Sequence, residues 1–263
     1  MSEIVRTGKL RLGDYTPARV SLETVGNSLA TREVLEFQLD HAKARDAVHA
    51  ALDLGGFEKR LRRELLAWGA AGIEVMRLRS AARDRAEYLR KPNLGRILAP
   101  DGAAHIKNTR CDLSVVVADG LSALAVERNA IPVLAGLLPR VMDAGWMVGP
   151  IALIKQGRVG IGDAIGSLMG ASISVVLLGE RPGLSAADSL GAYITWQPGS
   201  GKTDADRNCI SNICAGGLAP EAAAERLWWY LQSARVQHRT GTMLKEGSAD
   251  LIGDQSPSWP RAL

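Results

Sequence analysis

The feature that most constrains this chain is a set of short, continuous apolar runs in its second half. Two of them, LSVVVA at Leu113–Ala118 and ISVVLL at Ile173–Leu178, show no regular alternation of polar and apolar residues. Strands with this pattern are buried on both faces, as in parallel sheets that helices cover. Comparable runs lie at Met147–Ile154 and Gly191–Trp196. The sequence therefore predicts a mostly parallel sheet built from these runs.

Helical periodicity fills the intervals before and between these runs. The predicted helices are Asn27–Leu52 with Asn27 or Ser28 as the cap, Phe57–Trp68, Leu78–Tyr88, Ser122–Ala144 with Pro132 and Pro139 as kinks or breaks, and Ala219–Gln237. Strands that alternate with helices indicate an α/β fold. We predict a helical N-terminal region over residues 1–100, a Rossmann-like, mostly parallel sheet domain over residues 101–240, and a loosely ordered C-terminal tail over residues 241–263.

Composition excludes several classes of protein. Of the 263 residues, 46% are hydrophobic and 23% are charged, and the formal net charge is +4. Because no stretch concentrates the positive charge, nucleic-acid binding is not predicted. No window approaches about 18 uninterrupted apolar residues and no signal peptide is evident, so neither a membrane span nor export is predicted. Three cysteines, Cys111, Cys209 and Cys214, indicate reduced thiols in a cytoplasmic protein.

Polar clusters follow three of the predicted strands. They are Asp119–Ser122, Gly157–Gly160 and Gly179–Gly183, the last reading GERPG. In parallel α/β sheets, ligands bind outside the carboxyl ends of the strands. One such cluster is usually an ordinary turn, but one binding crevice would explain all three.

A dinucleotide is one candidate ligand for that crevice. Gly160, Gly162 and Gly166 lie between a strand and a helix, and Glu180 ends the next strand, where an acidic residue holds a ribose hydroxyl in dinucleotide-binding proteins. The last glycine is one position late, however, and Asp163 would repel a pyrophosphate. A packing role for the glycines is an equally good interpretation.

No self-contained catalytic set can be assembled from the sequence. The four histidines include no pair at metal-ligand spacing, and no nucleophile–base–orienter set is evident. His41 and His49, on a charged helix, are interpreted as solvated. A chain of this kind would hold a cofactor while another chain does the chemistry. A third hypothesis is a partner-binding module that uses Trp228, Trp229 and Tyr230, although aromatic residues on a helix are more often core.

Several segments together resemble one family, the small subunit (light chain) of adenosylcobalamin-dependent ethanolamine ammonia-lyase. The matching stretches are LEFQLDHAKARDAVHAAL, LRSAARDRAEYLRKPNLGR, VVVADGLSALAV, GRVGIGDAIGSLMGA, VVLLGERPGLSAADSLGAY and DRNCISNI. The resemblance covers most of the chain from Val20 to Tyr230, and GERPGLS and DRNCISNI are its most specific parts.

The resemblance implies a reaction, a cofactor and a partner. The reaction is the radical conversion of ethanolamine to acetaldehyde and ammonia, with the substrate site on a separate large subunit and cobalamin held between the two chains in a larger hetero-oligomer. The implied cofactor-binding residues are Val159, Glu180 and Cys209. A carboxylate at Glu180 would accept hydrogen bonds from the amides of cobalamin. From the residues alone, a core position for Val159 and a buried apolar role for Cys209 are favoured, and Glu180 could be a partner for Arg181.

The resemblance also bears on the state of the cofactor and on location. Proteins that replace the lower base of cobalamin with a histidine carry a D-x-H-x-x-G motif. The sequence contains no such motif, and Asp40 and His41 are adjacent with no residue between them. We therefore expect a base-on cofactor without a protein histidine on cobalt. About 19 residues precede the match at Val20, which puts in doubt the N-terminal extension linked to bacterial microcompartments. ETVGNS also stands where the family commonly has G-R-A-G, and the segment from Gly241 has no counterpart.

Overall fold

A computed structural model of the chain describes residue 16 and residues 18–245. A small antiparallel hairpin, β1 (Thr24–Val25) with β2 (Ser28–Leu29), opens the described part. Its helices are α1 (Thr31–His49), α2 (Leu54–Ala67), α3 (Arg85–Arg90), α4 (Pro100–Ala103), α5 (Ala123–Asp143), α6 (Ile161–Met169) and α7 (Pro220–Gln237). Short 3-10 turns cover Pro92–Arg96, Asp204–Asp206 and Gly241–Met243.

A six-stranded sheet forms the centre of the fold. Its strands are β3 (Val75–Arg79), β4 (Leu113–Ala118), β5 (Val148–Lys155), β6 (Ile173–Gly179), β7 (Leu190–Trp196) and β8 (Arg207–Ile213). Their order across the sheet is β3-β5-β4-β6-β7-β8. The first four in that order run parallel, whereas β7 and β8 are antiparallel to their neighbours. The predicted α/β class with a mostly parallel sheet is confirmed.

Helices cover both faces of the parallel part of the sheet. On β4, Val115 and Val117 face a layer made by α2, α5 and α7, while Val116 and Ala118 face α6. Successive side chains of a strand point to opposite faces, so a strand with two covered faces needs apolar residues at every position. This is the physical reason for the continuous apolar runs in the sequence.

Two strands were not anticipated from the sequence. Val75–Arg79 forms β3 beside β5, so the predicted helix Leu78–Tyr88 is wrong from Leu78 to Asp84, and the helix in this segment is Arg85–Arg90. The arginines of β3 alternate with buried residues at the sheet edge, and strand pairing overrides the weak helical period. Strand β8, which reads RNCISNI, lacks a continuous apolar run because only one of its faces is buried.

The direction of β7 also differs from the expected parallel arrangement. Only residues 180–189 connect β6 to β7, and they contain no helix. A parallel return needs a crossover of a dozen or more residues, so this short connection produces an antiparallel neighbour.

Two details of the predicted helices change. Helix α1 begins at Thr31, not beside Asn27 or Ser28, because Ser28 pairs with Val25 in the hairpin. Helix α5 continues through Pro132 and Pro139 without a break, with Ser122 capping its start by accepting a bond from the Ala125 N–H at 3.1 Å. Its packing against α7 and the sheet holds it continuous.

The aromatic residues of α7 belong mainly to the core. Trp229 and Tyr230 are buried, and Trp228 lies against Trp146 with ring centroids 5.6 Å apart. Their burial does not support the hypothesis that these residues form a partner-binding surface.

The chain end that the structure describes is packed on β8. The side-chain amide of Asn208 donates to the carbonyls of Gly241 and Leu244 at 3.2 and 2.8 Å. The rest of the predicted tail, residues 246–263, lies outside the described residues. Across the described part of the chain, every helix is too short or too polar to cross a membrane.

Candidate functional site

The three polar clusters meet at one edge of the sheet. Strands β5, β4 and β6 are neighbours and parallel, so Gly157–Gly160, Asp119–Ser122 and Gly179–Gly183 follow their carboxyl ends side by side. The Leu121 N–H donates to the Gly179 carbonyl at 2.8 Å and ties the second cluster to the third. The shared edge predicted from the sequence is confirmed.

Glycine allows the β4 and β6 ends to cross closely. Gly120 has φ +55°, and a Cβ on it would lie 2.2 Å from the Gly179 carbonyl oxygen. A Cβ on Gly179 would lie 2.1 Å from the Ser122 carbonyl oxygen. Because a side chain at either glycine would clash at such distances, only glycine allows this backbone contact. The contact sets the direction in which the chain leaves β6 and thereby the position of Glu180.

Glu180 is half-buried and is held by the antiparallel strands. The Ser189 hydroxyl donates to its carboxylate at 2.5 Å, and the Asn212 backbone N–H donates to the same oxygen at 3.2 Å. Glu180 forms no ion pair with the adjacent, exposed Arg181, so the interpretation of Glu180 as the partner of Arg181 is wrong. One carboxylate oxygen carries both bonds, so the other keeps its full acceptor capacity for a ligand.

Beside Glu180, no helix of the described residues covers the face of β7 and β8 that carries Cys209 and Ser211. Tyr193 of β7 is half-exposed and pairs in register with Cys209 of β8, and Cys209 and Ser211 are exposed. The Cys209 sulfur lies 3.2 Å from the Ser211 hydroxyl. A Cβ on Gly191 would lie 2.8 Å from a Glu180 oxygen, so this glycine lets the carboxylate lie flat on the strand. We call Glu180, Tyr193, Cys209 and Ser211 the open face.

The thiol and the phenol of the open face favour their neutral forms. Desolvation by the neighbouring strands raises the pKa of the Cys209 thiol, although the residue keeps exposed surface and a bond with Ser211 acts in the opposite sense. Burial, together with nearby Cys209 and Glu180, raises the pKa of Tyr193. At neutral pH the thiol and the phenol therefore keep their protons, so a thiolate ligand for a metal is not supported.

Val159 lies on the turn between β5 and α6. It is half-buried and packs against the apolar cluster on the α6 side of the sheet, where Tyr193 also packs. Val159, Glu180 and Cys209 thus all lie on the α6 side or at the carboxyl edge. Cys209 is exposed, which contradicts its reading as a buried apolar residue, and Val159 combines core packing with exposed surface.

The turn that carries Val159 is fixed from several directions. Gln156, at φ +59°, donates its backbone N–H to the Asp119 carboxylate at 2.6 Å. The Tyr88 hydroxyl donates to the Gly157 carbonyl at 2.9 Å, and the Arg158 N–H donates to the Gly95 carbonyl at 2.8 Å. Sequence reasoning missed this role of Tyr88 because its partner is far along the chain.

Asp119 is only 4% exposed, and this desolvation raises its pKa to about 6.

The dinucleotide reading does not fit the start of α6. A Cβ on Gly162 would lie 2.3 Å from the Val176 side chain, and one on Gly166 would lie 2.5 Å from Pro198. These glycines therefore allow close packing of the helix. Asp163 in the first turn forms a bidentate pair with Arg207, at 2.7 Å for both bonds. A carboxylate committed at this position excludes a pyrophosphate.

A cavity of about 630 Å³ separates α1 from the strand edge. We call it the α1 cavity, and its polar lining consists of His41, Arg45, His49, Arg158 and Arg181. The two histidines are exposed, as expected from the sequence, but they line a cavity that the sequence did not reveal. Among the described residues, no three side chains of His, Cys, Asp and Glu gather as metal ligands.

The fold is that of an α/β protein, with a candidate binding site at the carboxyl edge of its sheet and on an adjoining open strand face. Residues 7–245 match the family model described as ethanolamine ammonia-lyase light chain (EutC). The chain is 47% identical to an ethanolamine ammonia-lyase small subunit of Azotobacter vinelandii, over 90% of this chain and 87% of the relative. It is 45% identical to the one from Bradyrhizobium diazoefficiens, over 94% of both chains. The chain belongs to the ethanolamine ammonia-lyase light-chain family.

Proposed function

We propose that this chain is the small subunit of an adenosylcobalamin-dependent ethanolamine ammonia-lyase and holds the cobalamin against a large catalytic subunit. The proposal extends the family membership to a cofactor, a partner and a division of labour. The observation that carries it is the Glu180 carboxylate, fixed by Ser189 and Asn212 beside an open strand face, in a chain that offers a binding surface at the expected edge.

The residues of the open face suit the chemistry of cobalamin. The cofactor has a flat, largely apolar ring whose rim carries amide N–H donors. Glu180 presents a free carboxylate oxygen to such donors, and charge-assisted bonds are the stronger kind. The Tyr193 ring and Val159 supply apolar contact, and Cys209 is small enough to pack closely. Gly191, where a side chain would meet Glu180, keeps the surface low.

When bound, the cofactor supplies the cobalt–carbon bond whose homolysis starts radical chemistry on ethanolamine. The role of this chain is to bind and orient. Glu180 anchors the rim, Val159 and Tyr193 exclude water from the ring, and the protonated Cys209 thiol makes a packed contact. We propose that ethanolamine itself binds to the large subunit, with acetaldehyde and ammonia as the products.

Three finer points of the proposal concern state and place. The cofactor is base-on, with no protein histidine on cobalt. The assembly is a hetero-oligomer in the cytoplasm, and enclosure in a bacterial microcompartment is an extension of that location. The division into domains at residues 100 and 240 stays a prediction. Strand β3 at Val75–Arg79, which precedes the first boundary, joins the same sheet as the later strands. Spin resonance of the reduced cofactor with a nitrogen-15-labelled base tests the first point, and hyperfine coupling to a protein nitrogen would contradict it.

The test of the function is reconstitution. The chain is co-expressed with the large subunit from the same genome, supplied with adenosylcobalamin, and assayed for acetaldehyde from ethanolamine. Activity is expected only when both chains and the cofactor are present. Activity of this chain alone, or full activity of the large subunit without it, would contradict the proposed division of labour.

A further inference from the structure

The charged side chains that line the α1 cavity all carry positive charge. Among the described residues, its polar side chains are three arginines and two histidines, with no Asp or Glu. Many arginines elsewhere on the described surface pair with carboxylates, as Arg62 does with Glu58 at 2.8 Å. The cavity thus gathers positive charge without an internal counter-charge.

Two of these arginines lack a carboxylate partner within the described part of the chain. Arg158 is half-buried, its Nε is fully buried without a hydrogen-bond acceptor, and its guanidinium lies over the Tyr88 ring at 4.6 Å. Arg181 is exposed and, among the described residues, forms no ion pair, even with the adjacent Glu180. Arg45 has only Asp46, at 3.9 Å, and both of these side chains are well exposed.

The chemistry of guanidinium indicates what such a cavity accepts. Its planar fork of N–H donors matches the oxygens of phosphate and carboxylate groups, often in a bidentate manner. Within the described part of the chain, the guanidinium groups of Arg158 and Arg181 have no hydrogen-bond acceptor, so their N–H donors are available to ligand oxygens. The lining therefore selects an anionic group.

The position of the cavity connects it to the open face. Arg158 directly precedes Val159, and Arg181 directly follows Glu180, so the same two turns carry cofactor-contact residues and cavity residues. A ligand that lies over the carboxyl edge of the sheet can reach both. Cobalamin carries one anionic group outside its ring, the phosphodiester of its nucleotide loop.

We propose that the α1 cavity binds the phosphodiester of the cobalamin nucleotide loop, with Arg158 and Arg181 as the main donors and Arg45 as a third cation. The proposal rests on the proposed function and adds a specificity to it. The chain would distinguish a complete cobalamin from corrinoids that lack the nucleotide loop.

The experiment compares two probes, adenosylcobalamin and adenosylcobinamide, which lacks the nucleotide loop and its phosphodiester. Their dissociation constants are measured by equilibrium dialysis against the assembled two-chain enzyme. Arg181→Gln should weaken adenosylcobalamin binding about tenfold, the scale of one charge-assisted bond, and change adenosylcobinamide binding less than about twofold. Arg158→Gln should show the same selectivity. Arg63→Gln, an exposed cation on α2 outside the cavity, is the matched control and should affect neither probe.

Equal weakening of both probes, or no weakening of either, by Arg181→Gln and Arg158→Gln would overturn the proposal. Inorganic phosphate provides an independent measurement: it should compete with adenosylcobalamin for wild-type enzyme and lose this effect in Arg181→Gln. Phosphate that binds at these arginines without weakening cobalamin binding would assign the cavity to a free phosphate ester and also overturn it. A wild-type two-chain enzyme that binds neither corrinoid would instead contradict the proposed function.

Discussion

The parallel half of the sheet (β3, β5, β4 and β6) and its antiparallel half (β7 and β8) differ in how their faces are covered. Strand β4, in the parallel half, has all six residues buried between two helical layers. Strand β8, in the antiparallel half, buries Asn208, Ile210 and Ile213 on one face and exposes Cys209 and Ser211 on the other. The parallel half supplies stability and the antiparallel half supplies a surface. Substitutions in the two halves should therefore have separable effects.

The largest expected effect is on stability, in the parallel half. Leu177 of β6 is fully buried, and Leu177→Ala should lower the free energy of unfolding by about 3 kcal/mol through lost burial and a residual cavity. Cys209→Ala, on the exposed face of β8, is the comparison and should cost less than about 0.5 kcal/mol. Urea unfolding measures both. Similar losses at the two positions would show that the halves do not divide in this way.

The second effect is a pH dependence at the carboxyl end of β4, within the parallel half. Burial raises the pKa of Asp119 to about 6, above its ordinary value, so the folded state binds a proton more tightly than the unfolded chain. Its contribution to stability is therefore present below about pH 4 and is lost as the pH rises through about 6, a total change of about 3 kcal/mol.

Asp119→Asn removes this titration but keeps an oxygen to accept from the Gln156 N–H. The variant should gain stability relative to wild type by about 2 kcal/mol between pH 4 and pH 7 in urea unfolding. A difference between the two proteins that is independent of pH would show that Asp119 does not titrate in this range.

The third and smallest effect is on cofactor binding at the open face. Glu180→Ala should raise the apparent KM for adenosylcobalamin about tenfold in the two-chain enzyme, through loss of one charge-assisted acceptor, and leave turnover at saturating cofactor nearly unchanged. Glu225→Ala on α7, an exposed carboxylate that pairs with Arg140, is the control and should change neither quantity. An unchanged apparent KM in Glu180→Ala would mean that Glu180 only braces Ser189 and Asn212.

The same contrast explains how far the sequence could be interpreted. LSVVVA and ISVVLL identified β4 and β6 because two covered faces leave no room for polar side chains. Strand β8, which reads RNCISNI, was not predicted because half of its residues face outward. Strand β3, which reads VMRLR, lies at the sheet edge and was not predicted either. A pattern that depends on burial detects the core and overlooks strands with an open face.

The candidate site shows the same limit. The location of Glu180 at a strand end followed from the apolar run before it. Its partners Ser189 and Asn212 did not, because the hairpin of β7 and β8 brings them together from 9 and 32 residues away. The α1 cavity likewise depends on how α1 docks at the strand edge, which no local pattern encodes.

The central claim is that cobalamin lies on the open face and on the turn before α6. Hydrogen–deuterium exchange of the two-chain enzyme, with and without adenosylcobalamin, tests it directly. The account predicts slower exchange on cofactor addition for residues 156–160 and 207–213, with no change for residues 123–143 of α5. Unchanged exchange in both of the first two segments, with protection confined to other parts of this chain or to the large subunit alone, would contradict the account.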